Sequence, residues 1–484
     1  MASDLTVDLI INGEWRAPSS GHYDDVSNPA SPDETVGLVA SASREDVRAA
    51  IDAAHAAQPD WAAAGYLERA AGLRRMTEAV QEGAEARARI LTKENGKTLK
   101  ESMLEMTRLG DRFHYTAGLA PEFLEEESFQ PPPHRTLITY RPMGVAALIV
   151  PYNWPLSILG AKLPQALLAG NTVVIKPPPT APLAMVQTLK LMTDVLPPGV
   201  LNVVTGSVDN VGGELLDNPL VRKVDFTGSI AAGKQIMKVA ADTLKDVTLE
   251  LGGNDPAILL EDAKIDGGAI QRLVLGAFLS AGQICMAMKR LYVHRSLFSE
   301  VRDGMAEVLN GYVVGDGMES ETTMGPVNSK RQLDLVHELV EDAERRGATV
   351  QKLGRARDDA EFQRGWFHLP TLITDIAQDA RIVQEEQFGP ALPIIPFDDE
   401  DEAVTLANDT SYGLCSSVWS ADVDHAIDVA RRIEAGYTYI NIHGPMGQDN
   451  RGPFGGVKES GVGRELGRQG IYSFMEPHSI SVPG

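Results

Sequence analysis

Cysteine is scarce in this sequence, since only Cys285 and Cys415 occur among its 484 residues. Two thiols cannot build a disulfide framework, and neither has a cysteine or histidine neighbour at the spacing of a zinc site. We therefore expect no metal site and a reducing, cytoplasmic environment. Cys285 lies in the segment "AGQICMAM", residues 281–288. A lone cysteine is most often buried and inert, so the question is whether Cys285 has a chemical role.

Basic residues are outnumbered as well, with 44 lysines and arginines against 67 aspartates and glutamates and a net charge of −23. A surface of this sign repels phosphate backbones and anionic membranes, which argues against nucleic-acid binding. No apolar run approaches the roughly 18 residues that a membrane span needs. The first residues, "MASDLTVDLIINGEWR", lack the basic and apolar regions of a signal peptide. We therefore expect a soluble protein with no membrane partner.

Apolar residues, at 43% of the chain, are plentiful enough for two or three packed cores. Near the start, "DWAAAGYLERAAGLRRMTEAV" (60–80) has the spacing of an amphipathic surface helix. From residue 145 onward, short apolar runs alternate with helical segments. The predicted strands are "VAALIV", "TVVIK", "LNVVTG", "KVDFTG" and "DVTLEL", and the longer predicted helices span 155–171, 182–195 and 231–242. This alternation predicts a doubly wound α/β domain with a parallel sheet, which binds ligands beyond the carboxyl ends of its strands.

The segment "GSIAAGKQ" (228–235) matches the front of a phosphate-binding P-loop. Gln235 stands where serine or threonine would hold magnesium, and no acidic strand for the metal is identifiable, so an NTPase is not supported. The glycines and the helix N-terminus still suit a phosphate or pyrophosphate without a metal, as in a dinucleotide. The alternative is that a glycine here only lets the helix pack on its strand.

Two polar residues follow predicted strands, where side chains face the ligand crevice of such a sheet. Glu250 lies at the end of a strand in "LELGGN", and Asn153 follows an earlier strand in "VPYNWP". An amide at such a position can donate to an oxyanion, and a carboxylate can act as a base. A solvated glutamate and a helix-capping asparagine remain the alternatives on local evidence.

Taken together, the motifs resemble those of the NAD(P)-dependent aldehyde dehydrogenase superfamily, in its hydrolytic, cysteine-nucleophile form. They occur in family order over about residues 10–484. The matching segments are "PYNWPL" (151–156), "IKPPP" (175–179), "FTGSIAAG" (226–233), "LELGGN" (249–254), "GQICMA" (282–287), "EEQFGP" (385–390), "YGL" (412–414) and "PFGGVKESGVGRELG" (453–467).

The resemblance implies a doubly wound Rossmann-like cofactor domain, a second α/β catalytic domain that carries the thiol, and a small β oligomerisation extension. The implied boundaries are 1–125 and 145–251 for the dinucleotide-binding domain, 252–457 for the catalytic domain, and 126–144 with 468–484 for the oligomerisation strands. Edge strands such as "RTLITYRPMG" (135–144) and the tail "YSFMEPHSISVPG" invite pairing between subunits, so we expect a homodimer or homotetramer.

The resemblance also implies a role for each site residue. Cys285 would be the nucleophile, Glu250 the general base, Asn153 an oxyanion-hole donor together with the backbone N–H of Cys285, and Lys162 a proton relay. Residues implied to bind NAD or NADP are Lys176, Pro179, Gly228, Ser229, Gly233, Leu251, Gly252, Glu386 and Phe388. Residues implied to line the substrate pocket are Trp154, Ile158, Ala161, Ile284, Met286 and Arg451.

The chain departs from the family pattern at two places. Many relatives carry a glutamate on the adenosine ribose where this chain has Pro179, so we expect NADP to be accepted beside NAD. Ala161 replaces an aromatic residue of relatives with narrow tunnels, which favours an aromatic or medium-chain apolar aldehyde. Alternatively, Arg451 recognises the carboxylate of a semialdehyde. A CoA-acylating relative is disfavoured by Glu250, and a non-catalytic nucleotide-binding protein by the joint presence of Cys285, Glu250 and Asn153.

Overall fold

The computed structural model describes residues 5–123, 127–129 and 134–483. Residues 1–4, 124–126, 130–133 and 484 lie outside these described residues, and they include parts of the predicted oligomerisation segments 126–144 and 468–484. The strands are β1 Thr6–Val7, β2 Leu9–Ile11, β3 Glu14–Arg16, β4 Tyr23–Asn28, β5 Ser31–Ala40, β6 Glu127–Phe129, β7 His134–Pro142, β8 Val145–Ile149, β9 Thr172–Lys176, β10 Leu201–Val203, β11 Val221–Thr227, β12 Asp246–Glu250, β13 Asp255–Leu259, β14 Met288–His294, β15 Val313–Val314, β16 Thr349–Lys352, β17 Arg355–Ala356, β18 Thr371–Thr374, β19 Ala391–Phe397, β20 Cys415–Trp419, β21 Tyr437–Ile440, β22 Gly461–Val462 and β23 Met475–Pro483.

Helices separate most of these strands, as an α/β architecture requires. They are α1 Arg44–Ala63, α2 Gly65–Ala79, α3 Ala84–Asn95, α4 Leu99–Gly118, α5 Pro155–Ala169, α6 Leu183–Thr193, α7 Gly213–Asp217, α8 Ile230–Ala241, α9 Gly267–Phe278, α10 Phe298–Asn310, α11 Lys330–Arg345, α12 Asp359–Arg364, α13 Arg381–Gln384, α14 Glu400–Asn408, α15 Val423–Ala430 and α16 Gly467–Tyr472. None of the helices in the described ranges combines the length and the apolar character that a bilayer crossing needs.

The first large sheet has the strand order β22-β12-β11-β8-β9-β10-β2-β3. Its central strands β12, β11, β8, β9 and β10 are mutually parallel, and antiparallel strands complete both edges. The predicted strands and the parallel doubly wound topology between residues 145 and 251 are therefore confirmed. Apolar clusters cover both faces of this sheet, which is why its central strands β8 and β9 are nearly continuous apolar runs.

Helix ends in this sheet follow the local sequence. Pro155 occupies the first turn of α5, where its missing N–H costs nothing, and Gly170 ends the helix with a φ of 100°. The single helix predicted over 60–80 is wrong, because Gly65 adopts a φ of 77° and divides the segment into the end of α1 and α2. The surface assignment is also incomplete, since Leu73 and Met76 of α2 are buried in the core.

The second large sheet has the order β16-β18-β19-β14-β13-β20-β21 and is parallel except at its β16 edge. The chain passes from the first sheet to the second between Glu250 and Asp255, through the Gly252-Gly253 pair. A third, antiparallel sheet of β23, β7 and β6 joins the end of the chain to residues 134–142. The exact domain boundaries given above stay a prediction.

Candidate active site

Three neighbouring strands of the first sheet deliver polar residues to one edge. Glu250 ends β12, Thr227 ends β11, and Asn153 follows β8, and these strands are adjacent in the sheet order. Because parallel strands end at the same edge, the three side chains meet in one crevice. Glu250 and Asn153 are almost completely buried there.

Cys285 lies in the loop between α9 and β14 of the second sheet. Three consecutive residues before it have left-handed backbone angles, with φ of 52° at Ser280, 54° at Ala281 and 70° at Gly282. A Cβ at Gly282 would lie 2.4 Å from the carbonyl oxygen of Gly389, so only glycine fits. Left-handed angles at non-glycine residues cost on the order of 1–3 kcal/mol each, and they persist where the surroundings fix them.

Helix α4 fixes both the thiol loop and the asparagine. Glu101 accepts a hydrogen bond from the Ser280 backbone N–H at 2.6 Å, and Glu105 accepts from the first N–H groups of α5, those of Leu156 and Ser157, at 2.9 and 3.0 Å. A carboxylate at a helix N-terminus is favoured by the helix dipole. The two loops that meet in the crevice are therefore anchored to the same rigid helix.

The side chain of Asn153 donates from Nδ2 to the Gln283 carbonyl oxygen at 2.9 Å. An amide nitrogen carries two hydrogens, so this contact leaves one N–H for another acceptor. The contact also ties Asn153 directly to the loop that carries Cys285. The amide is thus held beside the thiol before any substrate arrives.

Two cavities meet at Cys285. The first, called here the thiol cavity, has a volume of about 50 Å³, and the second, called the Ser229 cavity, has a volume of about 240 Å³. Cys285, Asn153 and Thr227 line both. The thiol cavity is lined further by Arg108, Arg112, Trp154, Ser157, Ile158, Ala161, Glu250, Ile284, Met286, Pro445, Gln448, Phe454, Glu465 and Leu466.

Burial governs the protonation of the two reactive groups. The Cys285 thiol, half-buried, has a pKa raised by burial and then by the nearby carboxyl of Glu386. Burial and then the carboxyl of Glu465 raise the pKa of Glu250 well above its usual 4.5. Both Glu250 oxygens lack a hydrogen-bond partner within the described part of the chain. An unbonded buried carboxyl in a crevice is free to accept a proton from a water or a thiol.

Behind Glu250 lies a buried ionic group made of Lys162, Asp225 and Glu465. The Lys162 ammonium donates to both carboxylates, and all three side chains are shielded from solvent. Burial raises the pKa of Glu465 to about 7, and this shift is opposed by Lys162. Glu465 faces the thiol cavity while Lys162 stays behind it, so the lysine contacts the cavity through Glu465.

The Ser229 cavity combines a helix N-terminus with a buried carboxyl. Ser229 caps α8, with its hydroxyl accepting from the Ala232 N–H at 3.3 Å. Glu386 accepts from the Gly253 N–H at 3.1 Å, and burial raises the pKa of its carboxyl to about 7. A Cβ at Gly252 would lie 2.4 Å from Glu386, so glycine keeps this wall open. The cavity is lined by Pro151, Tyr152, Asn153, Thr227, Gly228, Ser229, Leu251, Gly252, Cys285, Gln332, Leu335, Glu386 and Phe388.

Several sequence-derived candidates lie outside these walls. Lys176 is buried at the end of β9, where burial lowers the pKa of its amine to about 8, and Pro179 is exposed. Gly233 lies on α8 against Leu251, where a Cβ would approach to 2.6 Å, so its contact is with protein rather than with the cavity. Arg451 is exposed and forms an ion pair with Asp449, two residues before it.

The sequence reasoning missed the arginines of α4 and the partners of Lys162. Arg108 and Arg112 stand one helical turn apart, and Gln448 lies in the segment between β21 and β22. Glu465 lies within the quoted segment "PFGGVKESGVGRELG", so a signal for it was present although no role was assigned. The arginines carried no local signal, because an Arg pair at helical spacing is typical of a solvated face.

Comparison with known proteins gives a consistent result along the whole chain. The model of the aldehyde dehydrogenase family matches residues 15–480. The geranial dehydrogenase of Castellaniella defragrans is 38% identical, with 99% of this chain and all of that protein covered. The NADP⁺ succinate-semialdehyde dehydrogenase of Escherichia coli is 36% identical, with 96% of each chain covered.

Solved structures agree with the sequence matches. The betaine aldehyde dehydrogenase of Staphylococcus aureus, solved in complex with NAD⁺, superposes with a TM-score of 0.93 at 33% identity. That comparison covers 99% of this chain and 95% of the other.

Proposed function

The chain belongs to the aldehyde dehydrogenase family of NAD(P)-dependent oxidoreductases, and from its site we propose that it oxidises an aldehyde to the carboxylic acid through a thioester on Cys285. The observation that carries this proposal is the position of Cys285, which faces both cavities at once. A reacting carbon bound to its sulfur lies between a substrate space and a cofactor space. Glu250 lines the same thiol cavity, and Asn153 lines both cavities.

The first step forms a carbon–sulfur bond. The Cys285 thiol, protonated at neutral pH because its pKa is raised, gives its proton to the buried carboxylate of Glu250 as sulfur attacks the aldehyde carbon. The carbonyl oxygen becomes an oxyanion, and the free N–H of Asn153 together with the backbone N–H of Cys285 stabilises it. The C–H bond of this adduct then breaks. The hydride would pass to NAD(P)⁺ held in the Ser229 cavity, and the carbon stays bound to sulfur as a thioester.

The second step hydrolyses the thioester. Once Glu250 has passed on the thiol proton, it takes a proton from a water, and the hydroxide adds to the thioester carbon. The carbon–sulfur bond then breaks, and the sulfur takes this proton from Glu250 to restore the thiol. Glu465, with its pKa near 7, and the Lys162 ammonium behind it form a path by which the proton leaves Glu250. A general base here disfavours acyl transfer to CoA, because water is activated in the same cavity.

The Ser229 cavity fits a dinucleotide. The N-terminus of α8 would hold the pyrophosphate, Glu386 would accept hydrogen bonds from ribose hydroxyls, and Phe388 would contact the nicotinamide. Exposed Pro179 supplies no carboxylate to repel a 2′-phosphate, so we propose that both NAD and NADP serve.

The thiol cavity favours an apolar substrate body. Trp154, Ile158, Ala161, Ile284 and Met286 form much of its wall, and the small side chain of Ala161 leaves room for a ring or a medium-length chain. We propose an aromatic or medium-chain aldehyde on this basis.

Exposed Ile480 and Val482 on β23 support a homodimer or homotetramer, because an apolar edge strand invites a second subunit. We propose a cytoplasmic location, because two cysteines cannot build the disulfide framework of a secreted protein.

The nucleophile is tested with a matched pair of cysteine variants. Cys285→Ala is expected to abolish NADH or NADPH formation from every aldehyde and to retain dinucleotide binding by fluorescence titration. Cys415→Ala, which removes the other free and buried thiol, is the control and is expected to retain turnover. Undiminished turnover in Cys285→Ala would show that the thiol is not the nucleophile.

A further inference from the structure

Two arginines of α4 line the thiol cavity and donate hydrogen bonds to neutral acceptors. Arg108 and Arg112 lie one turn apart, and Arg112 is only 5% exposed. Arg112 donates to the Ser157 carbonyl oxygen and, at 2.6 Å, to Gln448 Oε1. Arg108 donates to the Pro445 carbonyl oxygen at 2.9 Å. Each of these acceptors is neutral.

Two of the three carboxyl groups that attract this pair are engaged elsewhere, and the third, that of Asp111, is exposed in the outer pocket. Glu105 binds Lys97 and the first N–H groups of α5, and Glu465 binds Lys162. Within the described ranges no carboxylate forms an ion pair with either guanidinium. Burial lowers the pKa of both arginines, that of Arg112 to about 10, but an arginine stays charged at neutral pH. Two positive charges are therefore held in the cavity wall with carboxyl groups nearby but without a direct ion pair in the described part of the chain, an arrangement that an anionic ligand would compensate.

These residues occupy the neck between the thiol cavity and the surface. Arg108, Arg112, Pro445 and Gln448 line the thiol cavity and also an adjoining outer pocket, whose other residues are Leu104, Asp111, Met446 and Asn450. The neck therefore meets the end of a substrate that points away from Cys285. The net charge of −23 makes most of the protein repel anions. The two arginines therefore provide a local site at which an anionic group is attracted.

We propose that Arg108 and Arg112, oriented by Gln448, bind a carboxylate at the far end of the aldehyde substrate. The substrate class is then an oxo-acid with an apolar spacer, such as a carboxy-substituted aromatic aldehyde or a medium-chain ω-oxo acid. The inference rests on the proposed function for the aldehyde end and adds the recognition of the other end. It replaces Arg451, which is exposed and already paired with Asp449, as the carboxylate-binding residue.

The test compares 4-carboxybenzaldehyde with its methyl ester, which keeps the aldehyde and the ring but removes the charge. The parent enzyme is expected to prefer the acid by about tenfold or more in kcat/KM. In Arg108→Met the acid is expected to lose roughly 10- to 100-fold in kcat/KM, mainly through KM, the range for a lost charge-assisted hydrogen bond. The ester is expected to change by less than about threefold, and Arg108→Lys to recover part of the preference for the acid.

Lys100→Met is the matched control, because it removes an exposed positive charge from the same helix, and it is expected to keep the parent's preference for the acid. Equal use of acid and ester by the parent, or oxidation of benzaldehyde but of neither probe, would overturn the inference. So would a loss of preference in Arg451→Gln with none in Arg108→Met.

A binding measurement separates this inference from the catalytic proposal. Titration calorimetry of 4-carboxybenzaldehyde into Cys285→Ala, with and without Arg108→Met, needs no turnover. Binding that depends on Arg108 supports the carboxylate site even if every aldehyde proved inert, an outcome that would remove the proposed function alone. Binding equal in the two proteins would remove the carboxylate site.

Discussion

Replacing Glu250 with glutamine removes a base and almost nothing else. The two side chains have the same shape, and no hydrogen bond to the carboxyl oxygens is lost, because neither oxygen has a partner in the described structure. General bases contribute about 10²–10⁴-fold to turnover. Glu250→Gln is therefore expected to lower kcat by that range. If deacylation becomes the slower step, the acyl group accumulates on Cys285.

The acidity of Glu250 sets the pH at which the variant and the parent differ. The pKa of this carboxyl is raised well above 4.5 by burial, so the parent loses its base as the pH falls through that raised value. The parent's kcat should therefore rise with pH from mildly acidic toward alkaline conditions. The kcat of Glu250→Gln should be lower, and it should not show the rise with pH that the ionisation of Glu250 causes in the parent.

The thermal stability of Glu250→Gln tests the raised pKa of Glu250 independently of turnover. A carboxyl whose pKa is raised in the folded state binds more protons there than in the unfolded chain, so its ionisation destabilises the fold as the pH rises. Glutamine cannot ionise, and the variant is expected to melt at a higher temperature than the parent at alkaline pH. Near pH 4 the melting temperatures of the two proteins should approach one another.

Stopped-flow kinetics, mass spectrometry of the quenched enzyme and thermal melts across pH 4–9 measure these quantities. Glu300→Gln, on the exposed face of α10, is the control and should follow the parent in all three. Parental kcat in Glu250→Gln would refute the assignment of the base. A lower melting temperature for this variant at alkaline pH would refute the account of its burial.

Three further outcomes are expected. Pro179→Glu should shift the kcat/KM ratio toward NAD by roughly 10- to 100-fold, the range for a charge-assisted hydrogen bond to the ribose, and an unchanged ratio would contradict the carboxylate argument. Lys162→Met leaves two buried carboxylates without their cation and should lower the free energy of unfolding in urea by about 3–5 kcal/mol, whereas the control Lys330→Met breaks only an exposed pair and should change it little. Ile480→Lys, on the exposed face of β23, should reduce the oligomer mass in analytical ultracentrifugation, and an unchanged mass would place the interface elsewhere.

The sequence alone determined the parallel sheet and the residues at its carboxyl edge. Short runs such as "TVVIK" can be buried only as strands covered on both faces, and the proline and glycine at the two ends of α5 mark its limits by backbone geometry alone. The prediction of one continuous helix over residues 60–80 was wrong, because Gly65 adopts a positive φ and divides the segment into two helices. The family motifs then singled out Cys285, Glu250 and Asn153 as one set.

Tertiary structure decided what surrounds those residues. The pairing of Lys162 with Glu465 joins positions some 300 residues apart, and no periodicity connects them. The same holds for Arg108 and Arg112, whose spacing is that of a solvated helix face and whose burial depends on the loop 445–448 folding over them. Arg451, in that same loop region, was the carboxylate-binding candidate that the sequence offered. In the structure it forms an ion pair with Asp449 at the surface. Whether an arginine meets a carboxylate, a carbonyl or a cavity is settled by long-range packing, and with it the chemistry that the cavity can accept.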